Sequence, residues 1–160
     1  MLYVSKEKGY TSTPICVGNT AIIATSRSKT GGTYSNMRFA IISVLDENVL
    51  DKKFEGLRDV GVPNKQRYCD KHGYEFRLYG NLAPDRCIHW SKYFGALDAM
   101  KTCEWIFVMH MDNVIVNTNI KLENLMERDH DFYVCNDNHG LNDGQFLVKS
   151  SDWARTFLRE

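Results

Sequence analysis

His110 and Asp112 interrupt an apolar stretch of the chain, CEWIFVMHMDNVIVN, which runs from Cys103 to Asn117. At the end of a strand covered on both faces, such side chains would project into the crevice where open α/β sheets bind ligands. Asp112 suits a divalent cation shared with substrate phosphates, and it equally suits a cap on the following turn. In a regular strand His110 would point to the same side as Asp112, as a second ligand or as a hydrogen-bonded core histidine. Lys92, in HWSKYFGAL, could neutralise a phosphate or lie solvated on a helix surface. Asn136, Asp137, Asn138, His139, Asn142 and Asp143 are expected to form a loop between two strands. That loop offers hydrogen bonds to hydroxyl-rich ligands, although the same residue types also favour plain turns. Trp90, Trp105 and Trp153 are expected in the core, with lining a ligand as the lesser alternative for each.

Composition narrows the chemistry. The 160 residues carry 20 basic and 20 acidic side chains, with 43% hydrophobic content, as in one soluble globular domain. A balanced charge without a basic, aromatic-laced stripe argues against nucleic acid as a partner. The five cysteines lack CxxC spacing, so a disulfide framework or structural zinc is not expected. No GxSxG, Walker-type glycine loop or GxGxxG occurs, which weighs against serine hydrolases, P-loop nucleotidases and classical dinucleotide enzymes. Cys69 and Cys135 have no histidine at the spacing of a thiol nucleophile. The apolar runs fall short of the roughly 20 residues of a membrane span, and the N-terminus lacks a signal peptide's pattern. These features give the expectation of a cytoplasmic protein.

The elements that must position these residues follow from periodicity. Residues 1–36 read as a polar extension with one short strand near Ala21–Ala24, and residues 37–160 as the domain. RFAIISVL (Arg38–Leu45) is expected to be the first central strand. Helical spacing from Val49 to Cys69 leads to Gly73, a residue favoured just past a helix end. Tyr74–Tyr79 alternates as a strand, Gly80–Asp85 is a loop, and His89–Thr102 has helix periodicity before the strand of the opening stretch. Strand, helix, strand, helix, strand predicts a Rossmann-like, mostly parallel sheet flanked by helices. Leu122–Arg128 is expected as a short helix, and Asp131–Val134 and Gly144–Val148 as strands. Ser150 or Ser151 should cap a closing helix, DWARTFLRE, that runs to the last residue. Such an end suggests a truncated domain or a partner, including a second copy in a homo-oligomer, that completes it.

Four collinear blocks resemble glycosyltransferase family 34, whose members are galactosyl-, xylosyl- and mannan-forming transferases with a GT-A fold. NKQRYCDKHGYEF resembles the family's N-K-x-x-Y-C-x-x-H-G-Y block, and HWSKYFGAL its W-A-K helix. EWIFVMHMDNVIVN resembles its D-x-D strand, and HGLNDGQFLVKSSDWARTFL its G-L-N-x-G-x-F-L-x-x-N-S-x-W block. The resemblance implies a nucleotide-sugar donor, a glycan acceptor, and manganese (or magnesium) on the donor diphosphate. The implied metal ligands are Asp112 and His110, and Lys92 would assist at the donor. Asn142 and Gly144 map to the sugar-side wall, and Ser43 to the neighbourhood of the nucleoside. The implied reaction moves a hexose or pentose to a glycan hydroxyl; the alternative is a binding module without turnover. Two features depart from the pattern. His110 replaces the motif's first Asp, removing one negative charge, and the family's later acidic, Gln-containing segment and metal-binding His have no counterpart by residue 160. Family members are commonly anchored in the Golgi membrane, whereas this sequence shows no anchor.

Overall fold

The computed structural model describes residues 11–17, 20–26, 37–46, 56–126, 130–137 and 140–160. Strands β1 (Thr11–Val17) and β2 (Thr20–Ser26) pair antiparallel as a two-stranded sheet, so the strand expected near Ala21–Ala24 has a partner that the sequence reading missed. A five-stranded sheet follows, built from β3 (Phe39–Val44), β4 (Glu75–Tyr79), β5 (Trp105–Met109), β6 (Phe132–Asp137) and β7 (Gly140–Lys149). The spatial order is β4-β3-β5-β7-β6. β3 runs parallel to both β4 and β5, while β7 joins β5 and β6 antiparallel. The sheet is parallel in its central part, as expected, and mixed as a whole.

Side chains of the central strands alternate between two cores, as the period of two requires. Phe39, Ile41, Trp105, Phe107 and Met109 face helix α1 (Leu57–His72) and pack with Tyr68, Cys69 and Tyr74. Ala40, Ile42, Ile106 and Val108 face the other way, with Ala96, Ala99 and Met100 from helix α2 (Ser91–Ala99) and its end and with Ala154 of helix α3 (Asp152–Phe157). Both faces are therefore covered, which explains the unbroken apolar runs of β3 and β5.

The helix boundaries have local causes. α1 stops at Gly73, whose φ of 73° is the left-handed conformation that glycine adopts at low cost. α3 is capped by the Ser151 hydroxyl, which accepts from the Ala154 amide at 3.2 Å. It ends at Phe157, so the closing helix does not reach the last residue; Leu158 and Arg159 form a turn. The helix expected over Leu122–Arg128 is only a single 3-10 turn at Leu122–Leu125 within the described residues, and residues 49–55 of the expected first helix lie outside them. The polar run expected as a loop is largely strand: β6 extends to Asp137 and β7 begins at Gly140, and Asn142 and Asp143 sit within the ribbon. Asn136 and Asp143 are exposed on the ribbon, and Asn138 and His139 of the expected loop lie outside the described residues. Trp105 is buried as expected, but Trp90 and Trp153 are exposed.

α1 approaches the end of β5 closely at Gly61. A Cβ there would stand 2.6 Å from the Met111 carbonyl oxygen and 2.7 Å from its sulfur. In a free helix Gly→Ala gains about 1 kcal/mol, whereas overpacking costs about 1–3 kcal/mol. Gly61→Ala should therefore lower the thermal midpoint, and an unchanged or raised midpoint in thermal denaturation would refute this packing.

Candidate functional site

β3 connects to β4 on one side and the chain then crosses to β5 on the other, so the strand order reverses beside β3. Ligands bind at the carboxyl ends of strands at such a reversal. The last residue of β3 and the two after it (Val44, Leu45, Asp46) and the residues following β5 (His110, Met111, Asp112) line a cleft of about 210 Å³ there, with His89 and Lys92 on the α2 side. His110, Asp112 and Lys92 are thus brought together. The reason differs from the one expected: the strand ends at Met109 and the chain turns at residues 111 and 112, so the alternation of a regular strand does not align the two side chains.

The turn is held by its neighbours. The His110 amide donates to the Gly144 carbonyl of β7 at 3.0 Å, and the Asn113 amide donates back to the His110 carbonyl at 3.2 Å. Ser43 is buried and donates to the Met109 carbonyl at 2.6 Å, tying the ends of β3 and β5 beneath the cleft. Its hydroxyl is committed to the main chain, while Val44, Leu45 and Asp46 form the wall. Gly144 lies against the imidazole: a Cβ there would be 3.2 Å from His110 Nδ1 and 2.9 Å from Asn142 Oδ1. Asn142 uses that oxygen to accept from the Gly144 amide at 2.9 Å.

Lys92 is buried at 4% exposure, and its ammonium donates to the Asp143 carboxylate at 2.6 Å and to the Asp143 carbonyl at 2.9 Å. The Tyr93 hydroxyl donates to the same carboxylate oxygen at 2.6 Å. These bonds hold the Asp143 carboxyl below its ordinary range against the opposing effect of its burial. Burial, together with the charge of Lys92, lowers the His110 pKa below its ordinary 6.5 despite Asp112 and Asp143. The imidazole is neutral at pH 7, the state in which it can ligate a metal.

Sequence reading left the support beneath Asp112 unseen. Lys65 of α1 is fully buried, and its ammonium donates to the carbonyls of Met111 at 3.1 Å and Asn113 at 2.7 Å. Asn64 bonds both ways with the Ile115 main chain, donating at 3.1 Å and accepting at 2.7 Å. His89, whose ring centroid is 6.1 Å from that of His110, is a further cleft residue not foreseen. Cys69, Cys103 and Cys135 are buried free thiols, and burial pushes Cys69 up to about 12, consistent with packing rather than nucleophilic roles.

Among the described residues no group of three or more His, Cys, Asp or Glu side chains could hold a metal ion. His110 and Asp112 could still supply two ligands to a cation that takes the others from phosphate and water, the usual arrangement for magnesium. The donor set fits a shared ion and does not fit an all-protein cage. No helix among the described residues is long and apolar enough to cross a membrane.

The family model of the galactosyl transferase GMA12/MNN10 family matches residues 36–131, and the chain belongs to that family, glycosyltransferase family 34. It is 24% identical over 166 residues to an uncharacterised alpha-1,2-galactosyltransferase of Schizosaccharomyces pombe, covering 78% of this chain and 48% of that protein. The chain thus spans about half the length of this curated relative. The fold is similar to the crystal structure of a glycosyltransferase involved in the glycosylation of the major capsid of PBCV-1, with a TM-score of 0.58 and 17% identity. The match covers 76% of this chain and 64% of the solved one.

Because the folded His110 binds its proton less tightly than the unfolded one, stability falls as pH drops from 6.5 through the folded pKa. His110→Gln should flatten that acid loss in denaturant melts, and the His110 ring should titrate below 6.5 by NMR. A midpoint at or above 6.5 would contradict the burial described.

Proposed function

We propose that the cleft at the ends of β3 and β5 binds the diphosphate of a nucleotide-sugar donor, whose hexose or pentose passes to a glycan hydroxyl. The observation that carries this reading is the buried ammonium of Lys92 beside His110 and Asp112 in one cleft at the strand reversal. In the reaction the anomeric carbon exchanges its bond to phosphate oxygen for one to the acceptor oxygen, the electron pair leaves with the diphosphate, and the proton of the acceptor hydroxyl passes to the departing diphosphate or to solvent. Asp112 and His110 would hold manganese or magnesium, which supplies Lewis-acid stabilisation of that leaving group. Lys92 adds a second positive charge, effective because it is largely withdrawn from water. Asn142 and Gly144 shape the ribbon beside His110, on the side assigned to the sugar.

Asp143 occupies the Lys92 ammonium and competes with an incoming diphosphate for it. Ligand binding must displace this carboxylate or share the ammonium with it.

A thermal-shift screen over UDP- and GDP-sugars, with and without manganese, tests the donor class. The expected result is a manganese-dependent rise in melting temperature with one base, lost in Asp112→Ala. Unchanged nucleotide binding by Asp112→Ala in calorimetry would remove the assignment. Stabilisation without sugar transfer or hydrolysis would instead favour a binding module, a reading supported by His110 in place of an acidic ligand. Asp143→Asn should bind the same nucleoside diphosphate several-fold more tightly. Weaker binding would make Asp143 a ligand contact and not a competitor.

A further inference from the structure

Lys65 is an expensive residue to bury. Desolvation lowers its pKa to about 8, with Asp112 acting in the opposite direction, so it still carries its charge at pH 7. Among the described residues its ammonium makes no ion pair with a carboxylate; its partners are the carbonyls of Met111 and Asn113. These two carbonyls flank Asp112. The bond to Met111 fixes the peptide plane that enters the Asp112 Cα, and the bond to Asn113 fixes the plane one residue beyond it, while the intervening Asn113 amide is held by the His110 carbonyl and Asp112 lines the cleft.

The adjacent residue supplies the comparison. Asn64 holds the main chain at Ile115 with a neutral amide. A neutral donor is therefore enough to brace this segment, and a buried charge one residue away is not required for bracing alone. Gly61, one helical turn earlier, leaves the space in which the ammonium and the Met111 carbonyl meet; a Cβ on it would lie 3.5 Å from Lys65 Nζ.

We propose that Lys65 is a positioning residue of the diphosphate site. It sets the orientation of Asp112 through the two flanking carbonyls and places positive potential beneath it, without touching the ligand. This inference rests on the donor-site reading above. It adds that affinity for the diphosphate is controlled from the opposite side of the turn, by α1.

The test is calorimetry with UDP and with GDP, each in the presence of manganese, on the wild type, Lys65→Gln, Asp112→Asn and the double variant, with melting temperatures measured in parallel. Lys65→Gln should weaken binding of the recognised nucleotide ten-fold or more. In the Asp112→Asn background the same change should cost no more than two-fold, because a residue acting through Asp112 loses its effect when that carboxylate is gone. Lys65→Met, of similar length and without polar atoms, repeats the comparison should the glutamine variant fail to fold. Unchanged affinity in a folded Lys65 variant overturns the proposal and leaves the donor site standing. So does an equal loss in both backgrounds, which would mark a general structural role. A wild type that binds neither nucleotide overturns the donor site and the proposal together.

Discussion

The constraint on which the site depends is the need of main-chain polar groups for partners where no strand provides them. After β5 the chain leaves the sheet, and residues 111–123 form no extended ladder. Side chains of α1 and Tyr74, just beyond it, supply the bonds instead. Lys65 takes the carbonyls of Met111 and Asn113, Asn64 the Ile115 main chain, Tyr68 the Ile120 carbonyl at 2.7 Å, and His72 the Thr118 carbonyl at 2.8 Å. Tyr74 accepts from the Leu122 amide at 3.2 Å and donates to the Glu123 carboxylate. Residues 64, 65, 68 and 72 recur at three- and four-residue spacing and so share one helix face. The block NKQRYCDKHGY is thereby a clamp, in which Asn64, Lys65, Tyr68, His72 and Tyr74 each hold a stretch of backbone.

That clamp explains what the sequence could and could not reveal. β3, α1, β4, α2 and β5 were legible because apolar period and glycine punctuation are written into the residues of each element. Gly73 illustrates this, since its position past the helix predicts the left-handed φ that it adopts. The partner of Lys65 was not legible, because a carbonyl acceptor has no residue type and a lysine within a helix reads as solvated. Ser43 was placed near the nucleoside by resemblance, and its hydroxyl is spent on the Met109 carbonyl at the end of the neighbouring parallel strand. The β6–β7 ribbon was misread for the converse reason. Asn and Asp favour turns, yet an exposed ribbon end tolerates them wherever pairing continues, as Cys135 with Asn142 and Asn136 with Leu141 do here.

Charge in the cleft is arranged in opposed pairs. Lys92 is neutralised by Asp143 from β7, and Asp112 faces the field of Lys65 from α1. His110, kept uncharged by burial and by Lys92, stands between them and packs on Gly144. A family pattern with two acidic residues on this turn would meet the same cations with more negative charge. The histidine shifts the balance toward anions, so the ion and the diphosphate would depend more strongly on each other for binding.

A crystal structure of the protein with a nucleoside diphosphate and manganese tests this account most directly. It predicts the diphosphate against Lys92, an ion between it and Asp112, and the Lys65 bonds to Met111 and Asn113 intact beneath them. Nucleotide bound away from the ends of β3 and β5, or an ion bound without Asp112, would contradict it.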